Sequence, residues 1–322
     1  MRRVATTTML IATIVLLLAG LICAAGAQTA PPPPTDTTLG APPEYRDVAL
    51  RVDQLLGERK FDEARAICQQ QYDAATDDET RALFLRGIGE VYKVQRSLKC
   101  MDVFKQVLDQ FPQTKQVSWA MLGLAEAYIW KGMIMGAPQE NFGPGMTLLE
   151  QFLRDYPDHE RAARALWGRG MVYDRLGNDA AALAEYQKAV DGYPTQKMAD
   201  LCLERVIALQ QKASRWDDAI ASAKRYIGLY QKGAAQAQLS IGMSYAGKGD
   251  LAAAITEFDK VVSLYSGDKT TCADALLQKG LSQKALGQLA AARQTLEQVV
   301  QTYPDSYPAT QAKQQLEALA AQ

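Results

Sequence analysis

The stretch from Gly170 to Pro194, GMVYDRLGNDAAALAEYQKAVDGYP, decides the fold because a second stretch repeats its spacing. From Gly280 to Pro304 the chain reads GLSQKALGQLAAARQTLEQVVQTYP. Both stretches place a glycine, an alanine twelve residues later and a proline twelve residues after that. Self-similarity at a fixed spacing indicates a tandem array of one supersecondary unit. The chain is therefore predicted to repeat one unit along much of its length.

The alanine of this pattern recurs in steps of 37, 35 and 38 residues, at Ala182, Ala219, Ala254 and Ala292. Each step is the length of one helical hairpin, and the pattern resembles the tetratricopeptide repeat family. The unit that matches best contains Leu166, Gly170, Tyr173, Gly177, Ala182, Tyr186, Ala189 and Pro194. The resemblance implies an all-α, right-handed superhelical solenoid of hairpins, each made of a first helix A and a second helix B.

Glycine and aromatic residues in the pattern have separate physical roles. One set of glycines is small where two helices approach closely, and large rings such as Tyr186 and Phe258 fill the space beside them; these glycines are Gly170, Gly242 and Gly280. A second set stands where a left-handed residue would end helix A; these are Gly177, Gly249 and Gly287. Both roles are expected in every regular unit.

We predict seven units, covering roughly residues 45–78, 81–114, 118–159, 163–196, 200–233, 235–268 and 273–306. Apolar residues at helical spacing follow the last unit and predict a capping helix; they are Ala309, Ala312, Leu316 and Leu319. The predicted division is a signal peptide (1–27), a Pro-rich disordered linker (28–43), the solenoid (44–306) and the capping helix (307–322).

The N-terminus is typical of a secretory signal peptide. Arg2 and Arg3 precede an apolar run from Met9 to Ile22, and Ala25-Gly26-Ala27 offers a small-x-small cleavage site. The run also approaches the length of a membrane-spanning helix, so an uncleaved anchor is the alternative. The cleavage site favours export, to the periplasm or the extracellular space, after cleavage near Ala27.

Charge and composition disfavour several functions. The chain has 35 basic and 36 acidic residues, and removal of Arg2 and Arg3 with the signal peptide leaves 33 against 36, a net charge of -3. This balance predicts no nucleic-acid partner. His159 is the only histidine, and we expect it in a solvated loop. We therefore predict no enzymatic activity, no metal site and no cofactor.

Four cysteines follow the predicted cleavage site: Cys68, Cys100, Cys202 and Cys272. None has the spacing of a zinc motif. Cys68 and Cys100 would lie on the B helices of neighbouring units, where an exported protein could form a disulfide. The alternative, which we favour, is that each is a small buried hydrophobic residue.

The family resemblance implies a concave ligand groove built from A helices. In its register, positions 2, 5, 9, 12 and 13 of each unit face that groove. These positions hold Trp119, Leu122, Glu126, Ile129 and Trp130 in the third unit, and Arg164, Trp167, Met171, Asp174 and Arg175 in the fourth. Aromatic side chains beside charged ones suit a peptide-binding hot spot. The predicted partner-binding residues are Trp119, Glu126, Trp130, Phe142, Trp167, Met171 and Arg175.

Two parts of the third unit have alternative interpretations. Trp119 also begins the W-x-x-L-G motif with Leu122 and Gly123, which would place it in the core. Between Gly132 and Gly145 the chain has eight residues more than the fourth unit, in a loop that includes Phe142. Insertions in repeat proteins often belong to a binding face. The alternative is that this loop packs over its own unit.

These features predict a non-enzymatic protein- or peptide-binding scaffold of the bacterial cell envelope. Its Tyr-Pro-Asp unit ends, at Tyr156 and Tyr303, resemble those of envelope repeat proteins such as the Tol-Pal-associated periplasmic protein and the outer-membrane assembly lipoprotein. The chain lacks the coiled coil of the former and the lipid anchor of the latter. The rival hypothesis is an envelope glycan or small-ligand binding protein whose groove tryptophans stack on sugar rings.

Overall fold

A computed structural model describes residues 39–135 and 142–320. Within these ranges the chain forms fifteen α-helices and no strand, preceded by a short 3₁₀ turn at Pro43–Tyr45. The predicted all-α class is confirmed. The predicted signal peptide, with its cleavage site, and residues 28–38 of the predicted linker lie outside the described residues.

The helices form seven consecutive hairpins, followed by α15 (Tyr307–Ala320). The A helices are α1 (Arg46–Gly57), α3 (Asp78–Val94), α5 (Gln116–Ile134), α7 (Ala162–Arg175), α9 (Ala199–Lys212), α11 (Ala234–Lys248) and α13 (Lys269–Ala285). The B helices are α2 (Phe61–Ala74), α4 (Lys99–Gln110), α6 (Gly143–Asp155), α8 (Asp179–Gly192), α10 (Trp216–Leu229), α12 (Leu251–Leu264) and α14 (Leu289–Thr302).

Packing between hairpins makes the array a solenoid with two layers. Every helix packs against the next one in the chain, and from α3 onward each A helix also contacts the A helix of the following unit. Within the described ranges, no two B helices make comparable contact. The A helices therefore lie closer together and form the inner layer, as expected for a curved repeat array. The last helix, α15, packs on α13 and α14 and covers the end of this layer.

Close approach of helices A and B depends on glycine where the sequence predicts it. A Cβ atom on Gly170 would lie 2.5 Å from the Tyr186 ring, and one on Gly242 would lie 2.4 Å from the Phe258 ring. Both rings are almost fully buried. Since real Cβ atoms do not approach other atoms this closely, a side chain here would force the hairpin apart.

The turn between helices A and B uses a left-handed residue in six units. Three of these residues are glycines, as predicted: Gly177 (φ +74°), Gly249 (φ +88°) and Gly287 (φ +73°). Three other units hold the same conformation without glycine, at Arg59 (φ 60°), Arg96 (φ 60°) and Ser214 (φ 57°). The turn is thus set by the hairpin as a whole, because the packed helices hold even a residue that rarely adopts this conformation.

The folded array begins four residues before the predicted linker ends. Leu39 is fully buried, and its carbonyl accepts a hydrogen bond from the Arg86 guanidinium on α3. At the 3₁₀ turn, the Tyr45 ring packs edge-on against Phe84, with centroids 5.1 Å apart. The segment from residue 39 onward is therefore part of the array rather than of a spacer.

The third unit departs from the others at its A helix. With 19 residues, α5 continues past Gly132 to Ile134, so Gly132 is helical and does not end the helix as the aligned register predicts. The next helix begins at Gly143, directly after the buried Phe142. Part of the predicted insertion therefore lengthens α5, and residues 136–141 lie outside the described ranges.

All four cysteines of the described chain are free and buried, which agrees with the favoured interpretation over a disulfide between Cys68 and Cys100. Burial raises the pKa of Cys68 and Cys202 to about 12, so both thiols stay protonated at neutral pH. In the part of the chain that the structure describes, no helix is both long and apolar enough to span a membrane.

Candidate functional site

A cavity of about 490 Å³ opens between α3, α5 and α7 on the inner layer, and we name it the tryptophan cavity. Its walls combine two tryptophans and three methionines with three cationic side chains and one carboxylate. The lining residues are Lys93, Val94, Arg96, Glu126, Ala127, Ile129, Trp130, Met133, Arg164, Trp167, Gly168, Met171 and Met198. Its volume and largely apolar wall are those of a ligand pocket.

Helical spacing on two A helices brings the predicted residues together. Glu126 and Trp130 are four residues apart on α5, and Trp167 and Met171 are four residues apart on α7, so each pair shares one face of its helix. All four line the tryptophan cavity and are partly buried. The structure thus places four of the seven predicted residues in one cavity.

Glu126 links three consecutive A helices through charged hydrogen bonds. Its Oε2 accepts from Lys93 Nζ of α3 at 3.0 Å and from Arg164 Nη2 of α7 at 3.1 Å, while its Oε1 accepts from Arg164 Nε. Lys93 also pairs with Glu90 at 2.7 Å. Burial acts to raise the pKa of Glu126, but Lys93 and Arg164 outweigh it and lower that pKa to about 2. Burial acts to lower the pKa of Lys93, but Glu126 and Glu90 outweigh it and raise that pKa.

This network predicts an acid-sensitive contribution to stability. Because the pKa of Glu126 falls from an ordinary 4.5 to about 2 on folding, the network stabilises fully above about pH 5 and is lost as the pH falls toward 2. We expect Glu126→Gln to lower the free energy of unfolding by about 2 kcal/mol at pH 7, and by less than about 1 kcal/mol at pH 3. Urea titrations at both pH values measure this difference.

The matched control is Glu150→Gln on the exposed side of α6. It removes the same charge outside the cavity and should leave the free energy of unfolding within about 0.5 kcal/mol of the wild type at both pH values. If Glu126→Gln lowers the free energy of unfolding equally at pH 7 and pH 3, the ionised Glu126 does not provide the predicted acid-sensitive stabilisation.

The structure places Trp119 outside the tryptophan cavity, contrary to prediction. The guanidinium carbons of Arg86 and Arg161 lie 5.1 Å and 4.2 Å from its ring centroid, within cation–π range. A Cβ on Gly40 would lie 3.1 Å from the same ring. Trp119 is therefore on the inner layer, as the groove register predicts, but it is partly covered by side chains and by the segment that begins at residue 39.

His159 belongs to this covered cluster and is not a solvated loop residue. Its ring packs edge-on against Trp119 and Phe152, with centroids 5.2 Å and 5.1 Å away, and its Nδ1 accepts a hydrogen bond from the Arg161 backbone N–H at 3.1 Å. Burial, followed by the positive charge of Arg161, lowers its pKa to about 4. The neutral ring is therefore the form that the folded protein favours.

We expect the single histidine to titrate with a midpoint of about 4 instead of 6.5. As His159 is the only histidine, the Hε1 resonance of an untagged protein reports this directly in ¹H NMR spectra recorded from pH 3 to pH 8. A midpoint near 6.5 would show that the ring is solvated and that the cluster with Trp119 is absent.

Two other predicted residues do not line the cavity. Phe142 is 1 % exposed and packs with Leu149 and Phe152 in the core of its own unit, so the alternative interpretation of the insertion is correct for this residue. Arg175 is exposed at the last residue of α7, beyond the cavity. The prediction that Phe142 belongs to a binding face is wrong, because hydrophobic burial places it in the core and the repeat register does not apply within an insertion. Arg175 stays a predicted partner-binding residue.

Sequence reasoning missed three prominent lining residues. Lys93 occupies position 13 of the second unit, so the same register applied there would have found it. Arg96 follows the end of α3 in a left-handed turn that carries no glycine to mark it. Met198 precedes α9 with φ 84°, a conformation rare for methionine that no local sequence signal predicts.

The cavity's chemistry suits binding. Glu126 is held ionised by two cations, and His159 lies in the covered cluster outside the cavity. Nowhere in residues 39–135 and 142–320 do three His, Cys, Asp or Glu side chains meet in a group able to hold a metal ion. The site is an apolar cleft whose charged groups can fix the orientation of a bound ligand.

Comparisons with known proteins agree with this architecture. Tetratricopeptide repeat models match residues 146–197, 209–269 and 274–306. No curated protein sequence matches the chain significantly. The C-terminal part of a TPR repeat-containing protein from Cytophaga hutchinsonii has a similar structure, with a TM-score of 0.61 at 11% identity over 82% of this chain and 98% of that one.

Two further solved structures are similar at lower TM-scores. A tetratricopeptide repeat protein from Parabacteroides merdae gives 0.44 at 14% identity, over 86% of this chain and 98% of its own. YrrB, described as a TPR protein with an unusual peptide-binding site, gives 0.47 at 18% identity, over 66% of this chain and 99% of its own. Residues 146–197, 209–269 and 274–306 of this chain therefore match tetratricopeptide repeat models, and its consecutive helical hairpins share the fold of the Cytophaga hutchinsonii structure.

Proposed function

We propose that this protein is a non-enzymatic scaffold of the bacterial cell envelope that binds a protein or peptide partner in the tryptophan cavity. Tetratricopeptide repeats generally mediate protein–protein or peptide binding. The observation that carries the proposal is the meeting of Glu126, Trp130, Trp167 and Met171, from two A helices, in one cavity on the inner layer.

The side chains of the cavity support a peptide ligand. Trp130 and Trp167 offer large aromatic surfaces at low conformational cost, which is why tryptophan is enriched in binding hot spots. Met133, Met171 and Met198 are flexible and polarizable, so they adapt to side chains of different shape. Such a wall accepts the varied apolar side chains of a peptide.

The charged groups favour binding over acid–base catalysis. A general acid or base works best when its pKa lies near the operating pH. The pKa of Glu126 lies at about 2 and that of His159 at about 4, because of their ion pairs and burial respectively. Both groups keep one protonation state at neutral pH, which supports the non-enzymatic part of the proposal.

Location in the cell envelope rests on the sequence of residues 1–27. The Arg2–Arg3 pair, the apolar run and the Ala25-Gly26-Ala27 site support export with cleavage. Mass spectrometry of the protein purified from its own cells should find Gln28 as the first residue, in the periplasmic or secreted fraction. A protein that keeps residues 1–27 in the membrane fraction would be anchored instead, and one in the cytoplasm would contradict export.

Titration with peptides and glycans tests the binding proposal. Peptides enriched on the purified protein from a random dodecapeptide library should change the fluorescence of Trp130 and Trp167, and Met171→Ala should weaken their binding by about fivefold to tenfold. The control, Met243→Ala, alters an exposed methionine of α11 outside the cavity and should change affinity by less than about twofold. A response to cell-wall glycan fragments without a response to any peptide would favour the glycan-binding alternative.

A further inference from the structure

Methionine is concentrated in the wall of the tryptophan cavity. Three of the thirteen lining residues are methionine, at Met133, Met171 and Met198, whereas the whole chain has ten methionines among 322 residues. All three are only partly buried, so each keeps some solvent-accessible surface. A small solute that enters the cavity therefore meets methionine side chains from α5, from α7 and from the residue before α9.

Each of the two helices that supply a tryptophan to the cavity also supplies a methionine from the same face. On α5, Met133 follows Trp130 by three residues, and on α7, Met171 follows Trp167 by four. Both spacings correspond to about one helical turn. The apolar wall is thus built twice from an aromatic ring and a thioether, two side-chain types that pack favourably together.

The third methionine of the cavity is present at a conformational cost. Met198 has φ 84°, and the corresponding residue before α11 is Gly233, with φ 83°. Glycine takes this conformation without a side-chain penalty, whereas methionine is strained in it. Met198 therefore adds a side chain to the cavity wall at a position where glycine would relax the backbone.

The cysteines of the described chain do not provide a redox-sensitive thiol. All four are buried. Burial raises the pKa of Cys100 to about 11, as it raises the pKa of Cys68 and Cys202 to about 12. Peroxides attack the thiolate rather than the protonated thiol. A thioether needs no ionisation, so the methionines of the cavity wall are the sulfur groups that an oxidant reaches at this site.

We propose that Met133, Met171 and Met198 form a reversible oxidation site that controls binding in the tryptophan cavity. Hydrogen peroxide transfers one oxygen atom to the thioether sulfur, which gives up two electrons and becomes a sulfoxide, while the peroxide is reduced to water. Methionine sulfoxide reductases reverse this step with a dithiol, which becomes a disulfide as the oxygen leaves in water. This inference rests on the proposed function and specifies its regulation.

Oxidation changes the wall of the cavity from apolar to polar. The sulfoxide oxygen is a hydrogen-bond acceptor, and an apolar ligand that covers it leaves it unpaired. The oxidised cavity therefore binds bulky apolar side chains less tightly. The core methionines Met101 and Met121 are only 8% and 6% exposed. Mild oxidation thus reaches the cavity wall before the core that holds the helices together.

Mild oxidation of the purified protein with hydrogen peroxide tests the inference, with mass spectrometry of peptide fragments to locate each sulfoxide. A dodecapeptide selected on the reduced protein should bind at least about tenfold more weakly once the three cavity methionines are oxidised. Adding the reductases for both sulfoxide epimers with dithiothreitol should restore its affinity. Circular dichroism of the same samples should show an unchanged helical signal, which separates loss of binding from loss of the fold.

Protection by the bound peptide provides a second measurement that needs no variant. A peptide that fills the tryptophan cavity covers its wall, so it should slow oxidation of Met133, Met171 and Met198 by at least about threefold. Met243 is 42% exposed outside the cavity and should be oxidised at the same rate with or without the peptide. Equal rates at all four positions would overturn the cavity methionines as the oxidation site.

Two variants separate the cavity from the rest of the chain. Replacing Met133, Met171 and Met198 together by leucine keeps the wall apolar without thioethers, so peptide affinity should stay within about threefold and become insensitive to peroxide. The matched control replaces Met135 and Met243 by leucine. These residues are 64% and 42% exposed outside the cavity, so this variant should stay as sensitive as the wild type.

The outcomes separate this inference from the proposed function. Unchanged affinity after oxidation of the three cavity methionines would overturn the oxidation site and leave peptide binding intact. Loss of affinity on peroxide treatment of the leucine variant would assign the effect to other residues and overturn it as well. If no peptide is enriched on the reduced wild type over a Trp130→Ala variant, both proposals fail.

Discussion

Replacing Gly170 by leucine should destabilise the protein by at least about 3 kcal/mol. The first side-chain atom added would lie 2.5 Å from the Tyr186 ring, which is 1% exposed and enclosed by the core between helices A and B. Neither group can move without separating α7 from α8. The free energy of unfolding in urea, followed by circular dichroism, should show this loss.

Gly228 provides the matched control, since it is also helical but has open space where a Cβ would point. Gly228→Leu should be neutral or stabilising by up to about 1 kcal/mol, because leucine favours a helix over glycine. Combining Gly170→Leu with Tyr186→Ala should recover part of the loss, because the two residues compete for one space. Equal effects at Gly170 and Gly228 would mean that close helix contact does not depend on the repeated glycine.

Trp130→Ala should weaken the binding of library-selected peptides by at least about 30-fold, the loss expected at an aromatic hot spot. Of the two tryptophans in the cavity, Trp130 is the better one to replace, because its removal should affect binding with less effect on the fold. Trp167 also packs against Tyr186 in the core, so its removal would disturb the fold as well. Isothermal titration with one selected peptide measures the change.

The control for this prediction is Trp216→Ala on α10. Trp216 lies beside Gly247 of α11 and outside the tryptophan cavity. Its removal should change peptide affinity by less than about twofold, even if it lowers the melting temperature. A similar loss of affinity in both variants would attribute the effect to the fold and contradict a binding site at Trp130.

The scaffold was predictable because its contacts are local and repeat with the sequence. Gly170 and Tyr186 are sixteen residues apart, and Gly242 and Phe258 have the same separation. Each pair meets within one hairpin. The sixteen-residue spacing in the sequence therefore predicts the contact between the glycine and the aromatic ring. The same holds for Glu126 and Trp130, whose spacing of one helical turn places them on a common face.

The incorrect site predictions concern residues whose surroundings come from elsewhere in the chain. Trp119 is covered by Arg86, Arg161 and the segment at Gly40, none of which belongs to its own helix. Phe142 lies in an insertion, where no repeat register applies, and hydrophobic burial decides its position. His159 is partly buried against Trp119 and Phe152 although its sequence neighbours are typical of a turn.

Photocrosslinking in the cells that produce the protein tests the central claim most directly. A crosslinking residue introduced at Met133, in the wall of the tryptophan cavity, is compared with one at Leu264, which is 67% exposed on α12 of the outer layer. Binding in the cavity predicts a discrete protein adduct from position 133 that Trp130→Ala abolishes, and none from position 264. An adduct from position 264 alone would contradict the cavity as the binding site.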